Sequence, residues 1–261
     1  MINISVISLL NEKEFVVNQD IIIKIPTLRE YREMNKTQNS YESIMGLFLL
    51  TPSDKMVELY DQGIDFTTFD EYDFFVQLFY SEFIGNKNRN KSNLSVPDST
   101  KVFKRLNFSD LTIVKNKQDE IIFINSQGKE ILNKRLYMQI SSVFCEIFMT
   151  KKNRRRPQNE EAKKYIIEVE RSHQKHRRKH LKVQSQNVLD EQIIALVCTG
   201  RLPYNLSTIQ DITIHDFYTC LKQIAKDRNY DHIMNGAYCG FGTVDLKKIK
   251  PNQLNWLSFR D

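Results

Sequence analysis

Glycine and proline are scarce in this chain, and their scarcity constrains its fold more than any other feature. The 261 residues contain 8 Gly and 6 Pro. Turn-rich β architectures and long loops depend on both residue types, so the composition favours helices. Hydrophobic residues make up 41% of the chain, including 16 Phe and 11 Tyr, which is enough for a sizeable core. We therefore expect an α+β fold that is mainly α.

Apolar and β-branched runs predict two β-hairpins. The first uses Ile4 to Leu9 and Phe15 to Ile23, with its turn at Asn11 to Glu14. The second is smaller and pairs residues 111–114 with residues 121–124. These hairpins supply the β part of the expected fold.

Helical periodicity accounts for most of the remaining sequence. Thr27 is a candidate N-cap, and Glu30 completes a capping box with it. Thr51 followed by Pro52 marks a second helix start, which should run to about Asp61. Apolar residues at spacings of three and four predict further helices over about 69–83, 129–149, 189–198, 214–226 and 230–238.

The predicted elements divide the chain into five parts. Residues 85–100 are rich in Asn, Lys and Ser, which indicates a flexible linker. The other parts are an N-terminal hairpin with helices over 1–84, a hairpin with a long helix over 101–150, a basic helical connector over 151–186 and a C-terminal helical bundle over 187–261.

Positive charge is concentrated in residues 151–182, the basic segment. It holds 13 Lys and Arg against 4 acids, a net charge of +9, whereas the whole chain carries +6. The segment faces an external anion, the acidic remainder of its own chain or an acidic partner, and the sequence leaves these alternatives open. The side chains expected to bind a partner or an anion are Arg154, Arg155, Arg156, Arg171, Lys175, Arg177, Arg178 and Lys179.

A helical seam runs through the basic segment. Ala162, Ile166 and Val169 recur at spacings of four and three, which predicts a packed face. The same face continues with histidines at positions 173, 176 and 180. Histidines one turn apart could bind a metal ion, but the surrounding Lys and Arg would repel a dication. We therefore expect a polar helix face and no metal site.

No catalytic constellation emerges from the spacing of reactive residues. Acids cluster at 54–65 and 70–73, at predicted helix starts and outer faces, where acids are common. Gly240-Phe241-Gly242 lacks the rest of a phosphate-binding loop. We expect neither an enzyme nor a cofactor.

Nucleic acid is the alternative partner for the basic segment, because Lys and Arg on one accessible surface bind phosphates. Only one aromatic residue, Tyr165, lies among these cations in the sequence. Base stacking on protein aromatics therefore has little support. The sequence favours a solvated or protein-facing basic helix.

The expected compartment follows from the cysteines and the hydropathy. Cys145, Cys198, Cys220 and Cys239 each lie in an apolar run, which predicts buried free thiols in a reducing cytoplasm. No apolar run approaches the ~18 residues of a membrane span, and the first residues lack the basic start of a signal peptide. We expect a cytoplasmic protein with no membrane partner.

The C-terminal third resembles known phage proteins. The similarity lies in Asp211 to Tyr218, Tyr230 to Gly240, Asp245 to Ile249 and Leu254 to Trp256, together with Ile25 to Thr27 after the first hairpin. These stretches look like small helical phage morphogenesis proteins, especially tail assembly chaperones of phages that infect Gram-positive bacteria. The resemblance implies no catalytic residues. It implies that the protein binds the tape-measure protein in the infected host and keeps it soluble.

Two functional hypotheses follow. The leading one is a non-enzymatic assembly or scaffolding protein that contacts a phage structural protein. The alternative is a nucleic-acid-binding protein that uses the basic segment; self-association stays open for both. Trp256, the single tryptophan, is expected either to anchor the C-terminal tail against the last helices or to bind a partner directly.

Overall fold

The computed structural model describes residues 6–35, 41–85, 98–180, 188–200, 202–239 and 249. The fold class is the expected one, mainly helical with two small antiparallel sheets. The predicted linker falls largely on residues 86–97, which lie outside the described residues. In the described part, no helix combines the length and the apolar character needed to cross a membrane.

The N-terminal hairpin forms from different segments than the sequence indicated. Strand β1 (Glu14–Val16) pairs with β2 (Ile22–Lys24), with Phe15 opposite Ile23. The prediction of a strand over residues 4–9 was wrong, because Val6–Leu9 is a 3-10 helix. The turn is closed by Asn18, whose side-chain oxygen accepts backbone N–H groups at 2.9 and 2.8 Å.

The second hairpin is confirmed and gains a third strand. Strands β3 (Thr112–Lys115) and β4 (Ile121–Ile124) pair as expected, and β5 (Glu130–Leu132) joins the other edge of β4. The predicted start of the following helix near residue 129 was therefore wrong. Asn133 sets the true start, since its side chain caps the helix by accepting the Leu136 N–H at 2.9 Å.

The described residues form eight α-helices beside these two sheets. The Thr27–Glu30 capping box is confirmed, with Thr27 N donating to Glu30 Oε2 at 2.8 Å. The two helices predicted over 214–226 and 230–238 are one helix, because no Gly or Pro interrupts Ile214 to Asn235. The α-helices are α1 (Leu28–Asn35), α2 (Tyr41–Leu49), α3 (Met56–Asp61), α4 (Glu71–Phe79), α5 (Lys134–Ile147), α6 (Glu160–His180), α7 (Val188–Cys198) and α8 (Ile214–Tyr238).

An aromatic core joins the helices to the sheets. Phe75 of α4 lies at its centre, with ring centroids 5.0 Å from Phe48, 4.8 Å from Tyr137 and 5.7 Å from Phe123. Such tilted and edge-on aromatic pairs add to the free energy gained by burial. The same hydrophobic cluster extends from residue 9 to Phe217 in α8.

The C-terminal helices share this core. The start of α8 is tied to the start of α1 by a bridge between Thr27 and Thr213, with Leu28 N donating to Ile212 O at 3.0 Å and Ile214 N to Pro26 O at 2.9 Å. Ile193 of α7 is buried in the same cluster. The five-part division stays a prediction, while described residues on both sides of positions 150 and 186 contribute to one core.

The four cysteines are free thiols, as predicted, but they are not all buried. Cys145 and Cys220 are half-buried, whereas Cys198 and Cys239 are exposed. Both exposed thiols lie at helix ends, at the last residue of α7 and just after α8. An apolar sequence neighbourhood therefore did not suffice to place them in the core.

Candidate functional site

The basic segment begins with residues 151–156, here called the basic strap, which crosses from the end of α5 to the start of α4. Lys152 anchors it: the side chain is 6% exposed. Its Nζ donates to Glu71 Oε2 at 3.0 Å and to the Tyr137 hydroxyl at 2.9 Å, and lies 4.7 Å from the Tyr137 ring centroid. Burial lowers the pKa of Lys152, and the Glu71 carboxylate opposes this shift.

Glu71 is shared by two cations of the basic strap. Arg154 donates Nε to Glu71 Oε1 at 2.5 Å and a second guanidinium nitrogen to Oε2 at 3.2 Å, a two-pronged contact. Burial alone would raise the pKa of Glu71, but Arg154 and Lys152 together lower it. The carboxylate therefore stays charged at neutral pH and fixes the strap to α4.

Glu170 is a second carboxylate shared by two cations. Arg155 lies 3.6 Å from it, and Arg177 donates a hydrogen bond to it. Glu170 is 14% exposed and belongs to α6, so this pairing joins the strap to the basic helix. Arg156 is exposed and has no ion-pair partner within the described ranges.

Helix α6 docks on α3 and on the turn that follows it. The contact uses a cation, an aliphatic residue and a second cation at four-residue intervals. Lys163, with a side chain 9% exposed, donates to Asp65 at 2.7 Å and to Glu160 at 3.3 Å. Ile167 is 3% exposed and Arg171 lies 2.6 Å from Asp61. The hydrogen bonds from Lys163 and Thr67 lower the pKa of Asp65 to about 2.

This contact corrects the predicted seam of α6. Ala162 and Ile166 are only half-buried, while the fully buried side chains are Lys163 and Ile167. Ile167 enters a second, small hydrophobic cluster with residues from α3 and α4, separate from the aromatic core. The packed stripe is therefore displaced by one residue, because Asp61 at the end of α3 and Asp65 beyond it pair with the two cations that flank Ile167.

The predicted binding cations fall into three groups. Four of them, Arg154, Arg155, Arg171 and Arg177, contact carboxylates of their own chain. Two others, Arg156 and Lys175, are exposed and have no ion pair among the described residues. The side chains of Arg178 and Lys179, and all of Trp256, lie outside the described residues.

Two of the three histidines of the basic helix have described side chains. His173 and His176 are exposed, and the His180 side chain lies outside the described residues. Within the described ranges, no group of three or more His, Cys, Asp or Glu side chains is arranged to hold a metal ion.

Sequence reasoning named the cations but missed their carboxylate partners. Asp61 and Asp65 had been read as ordinary acids on a helix surface. The one signal that could have paired them is spacing: these acids are four residues apart, and Lys163, Ile167 and Arg171 are also four apart. Of the three alternatives left open, contact with acids of the same chain is realised for most of the described binding cations.

Comparison with known proteins places the C-terminal third in a phage context. Residues 182–259 match the family described as the YomV second domain, which is phage-derived. This match is consistent with a phage protein in broad terms. The described part of this region contains α7 and α8. No curated protein and no solved structure matches the chain.

Proposed function

We propose that this chain is a non-enzymatic phage protein that acts by binding another protein. In the specific form that the sequence resemblance implies, it is a tail assembly chaperone that holds the tape-measure protein in the cytoplasm of the infected host. The phage-derived family match over residues 182–259 supports the phage setting. The tail-specific role is supported by the sequence resemblance alone.

The observation that favours protein binding over nucleic-acid binding is that cations of the basic segment form ion pairs within the chain. Its cations hold α3, α4 and α6 together through Asp61, Asp65, Glu71 and Glu170. A nucleic acid that used these cations would have to displace carboxylates that stabilise the fold. Six of the ten Lys and Arg side chains of the basic segment that the structure describes form ion pairs with carboxylates of the same chain.

Nucleic-acid binding remains the second candidate, and Arg156 and Lys175 favour it. Both are exposed and lack an ion pair within the described residues. A complex that uses only such side chains would neutralise few phosphates. Its affinity would accordingly fall only shallowly with salt, by roughly 0.9 log unit per phosphate for each tenfold increase.

A pull-down of the full chain from its native source tests the proposal, with protein and nucleic acid quantified in the bound fraction. We expect a protein partner that resists nuclease treatment. A bound fraction that contains nucleic acid and no stoichiometric protein would overturn the proposal in favour of the alternative. Recovery of a tape-measure protein would establish the chaperone form, and recovery of a different phage structural protein would retain the general role only.

A further inference from the structure

Three cavities meet at a single exposed side chain on the outer face of α5. They have volumes of about 400, 690 and 390 Å³, and Met138 lines all three. The inner face of the same helix is packed in the core through residues such as Tyr137 and Phe144. Met138 is 48% exposed. The three neighbouring cavities that share this side chain are here called the Met138 groove.

The basic strap forms one wall of the Met138 groove. Arg154, Arg155 and Arg156 line the first cavity, and Lys151 and Lys152 line another. These five cations contact only two carboxylates among the described residues, Glu71 and Glu170, and Glu170 also serves Arg177. Together, the linings of these two cavities hold six Lys and Arg against the three acids Asp70, Glu71 and Glu146, so their net charge is positive.

The floor of the groove favours an apolar contact. Methionine is flexible and polarisable, so it adapts to varied apolar partners and recurs at protein-binding surfaces. Ser142 and Cys145 lie one and two turns further along α5 and line the groove beside Met138. Their small side chains leave room for a partner to approach the helix closely.

The same groove is unsuited to nucleic acid. Of its four aromatic residues, Phe66, Tyr72 and Tyr137 are buried and only Phe69 is partly exposed, which offers little surface for stacking of successive bases. Glu120 and Glu130 line the far cavity, so the excess positive charge lies at the other end of the groove, beside the basic strap. An apolar floor beside a cationic wall instead matches a peptide that carries both aliphatic and acidic side chains.

We propose that the Met138 groove is the docking surface for an acidic, amphipathic segment of a partner protein. An aliphatic side chain of that segment packs on Met138, and its carboxylates reach Arg156 and Lys151, which are exposed and have no ion pair among the described residues. This inference rests on the proposed function, and it names the surface and the chemistry of the partner. A few residues usually dominate the binding energy of an interface, and they are typically buried in a pocket whose rim is polar or charged.

The test uses the full chain with methyl-labelled methionine and defined probes, observed by NMR. The probes are a 12-residue peptide that alternates Glu with Leu at helical spacing, its Lys-for-Glu counterpart, and a 12-nucleotide single strand. We expect the acidic peptide to shift the Met138 methyl signal, which Met138→Leu identifies, and the basic peptide to leave it unchanged. Met138→Ala should weaken the acidic peptide by about tenfold or more.

Val16→Ala is the matched control, because Val16 is 63% exposed on β1 and lies outside the groove; it should leave the affinity unchanged. The inference is overturned if the nucleotide strand shifts Met138 and the acidic peptide does not, or if no probe shifts it. It also fails if a natural protein partner binds Met138→Ala as tightly as the parent chain, in which case the proposed function stands. Conversely, if the pull-down yields no protein partner but the acidic peptide still binds at Met138, the proposed function is refuted and the peptide-binding groove is retained.

Discussion

Helices α5 and α6 show two different ways of attaching a helix to the same molecule. The 14-residue α5 buries Tyr137, Ile140, Val143, Phe144 and Ile147 in the core. Among the side chains of the 21-residue α6 that the structure describes, only those of Lys163 and Ile167 are buried. The longer helix is thus held mainly by ion pairs and the shorter one by apolar burial. Helix length is therefore no guide to how firmly a helix is attached.

The different attachments predict different responses to the environment. Apolar burial is insensitive to ionic strength, whereas exposed ion pairs are screened by salt and contribute about 0–1 kcal/mol each. Asp61 and Arg171 are both about half exposed, so their pair belongs to this weak class. We expect α6 to open locally at free energies well below that of global unfolding.

The largest effect is expected for Phe144→Ala in α5. Phe144 is fully buried and its ring centroid lies 5.6 Å from that of Phe48. Loss of a buried Phe side chain leaves a cavity and costs roughly 3–5 kcal/mol, measurable as a lower free energy of unfolding in urea. Met138→Ala, on the exposed face of the same helix, should cost less than about 1 kcal/mol. Equal losses for the two variants would refute the assignment of the two faces.

A smaller and more local effect is expected for Ile167→Ala in α6. The variant removes the buried aliphatic contact of the helix and should cost about 2 kcal/mol, at the lower end for a core residue, because the cluster is small. Hydrogen exchange should accelerate in α6 while α5 keeps its protection. Tyr165→Ala, at a residue 69% exposed on the same helix, is the control and should change neither. Uniform acceleration across both helices would mean that α6 and the core unfold together.

The smallest effect is expected when the pH is lowered and the attachment of α6 weakens. The pKa of Asp65 is about 2 in the folded protein, below its usual value of ~3.9. Its contribution to α6 attachment is therefore complete above about pH 4 and is lost as the pH falls toward 2. Exchange in α6 should rise over that interval before exchange in α5. Asp65→Asn should remove this rise in α6 exchange at low pH, while Asp119→Asn, in the exposed β3–β4 turn, should preserve it. If the rise is unchanged in Asp65→Asn, a different carboxyl group is responsible for it.

Local signals in the sequence predicted much of the fold. The Thr27–Glu30 capping box and the hairpin of β3 and β4 depend on residues a few positions apart, and both are present. Strand β5 and the continuity of α8 were missed. Strand β5 is three residues long and is stabilised by pairing with β4 rather than by its own pattern. Propensity is a weak guide where tertiary contacts decide.

The candidate site was less predictable than the fold. The cations were evident from composition, but Glu71 is 83 residues from Arg154 and Asp61 is 110 from Arg171. No local pattern connects residues so far apart. The Met138 groove was also not predicted. Helical periodicity leaves Met138 off the apolar face of its helix, but it does not show which distant residues form cavities around that side chain.

The bridge between Thr27 and Thr213 bears on how the chain folds as it is synthesised. The backbone groups that flank the start of α1 receive their partners only after residue 214 has been made. At roughly 5–20 residues per second, translation reaches that point about 10–40 s after residue 27. During this interval the start of α1 lacks the two backbone hydrogen bonds that residues 212 and 214 form with it. A ribosome stalled before residue 213 should accordingly carry a nascent chain whose α1 is digested readily by protease, and release of the full chain should protect it.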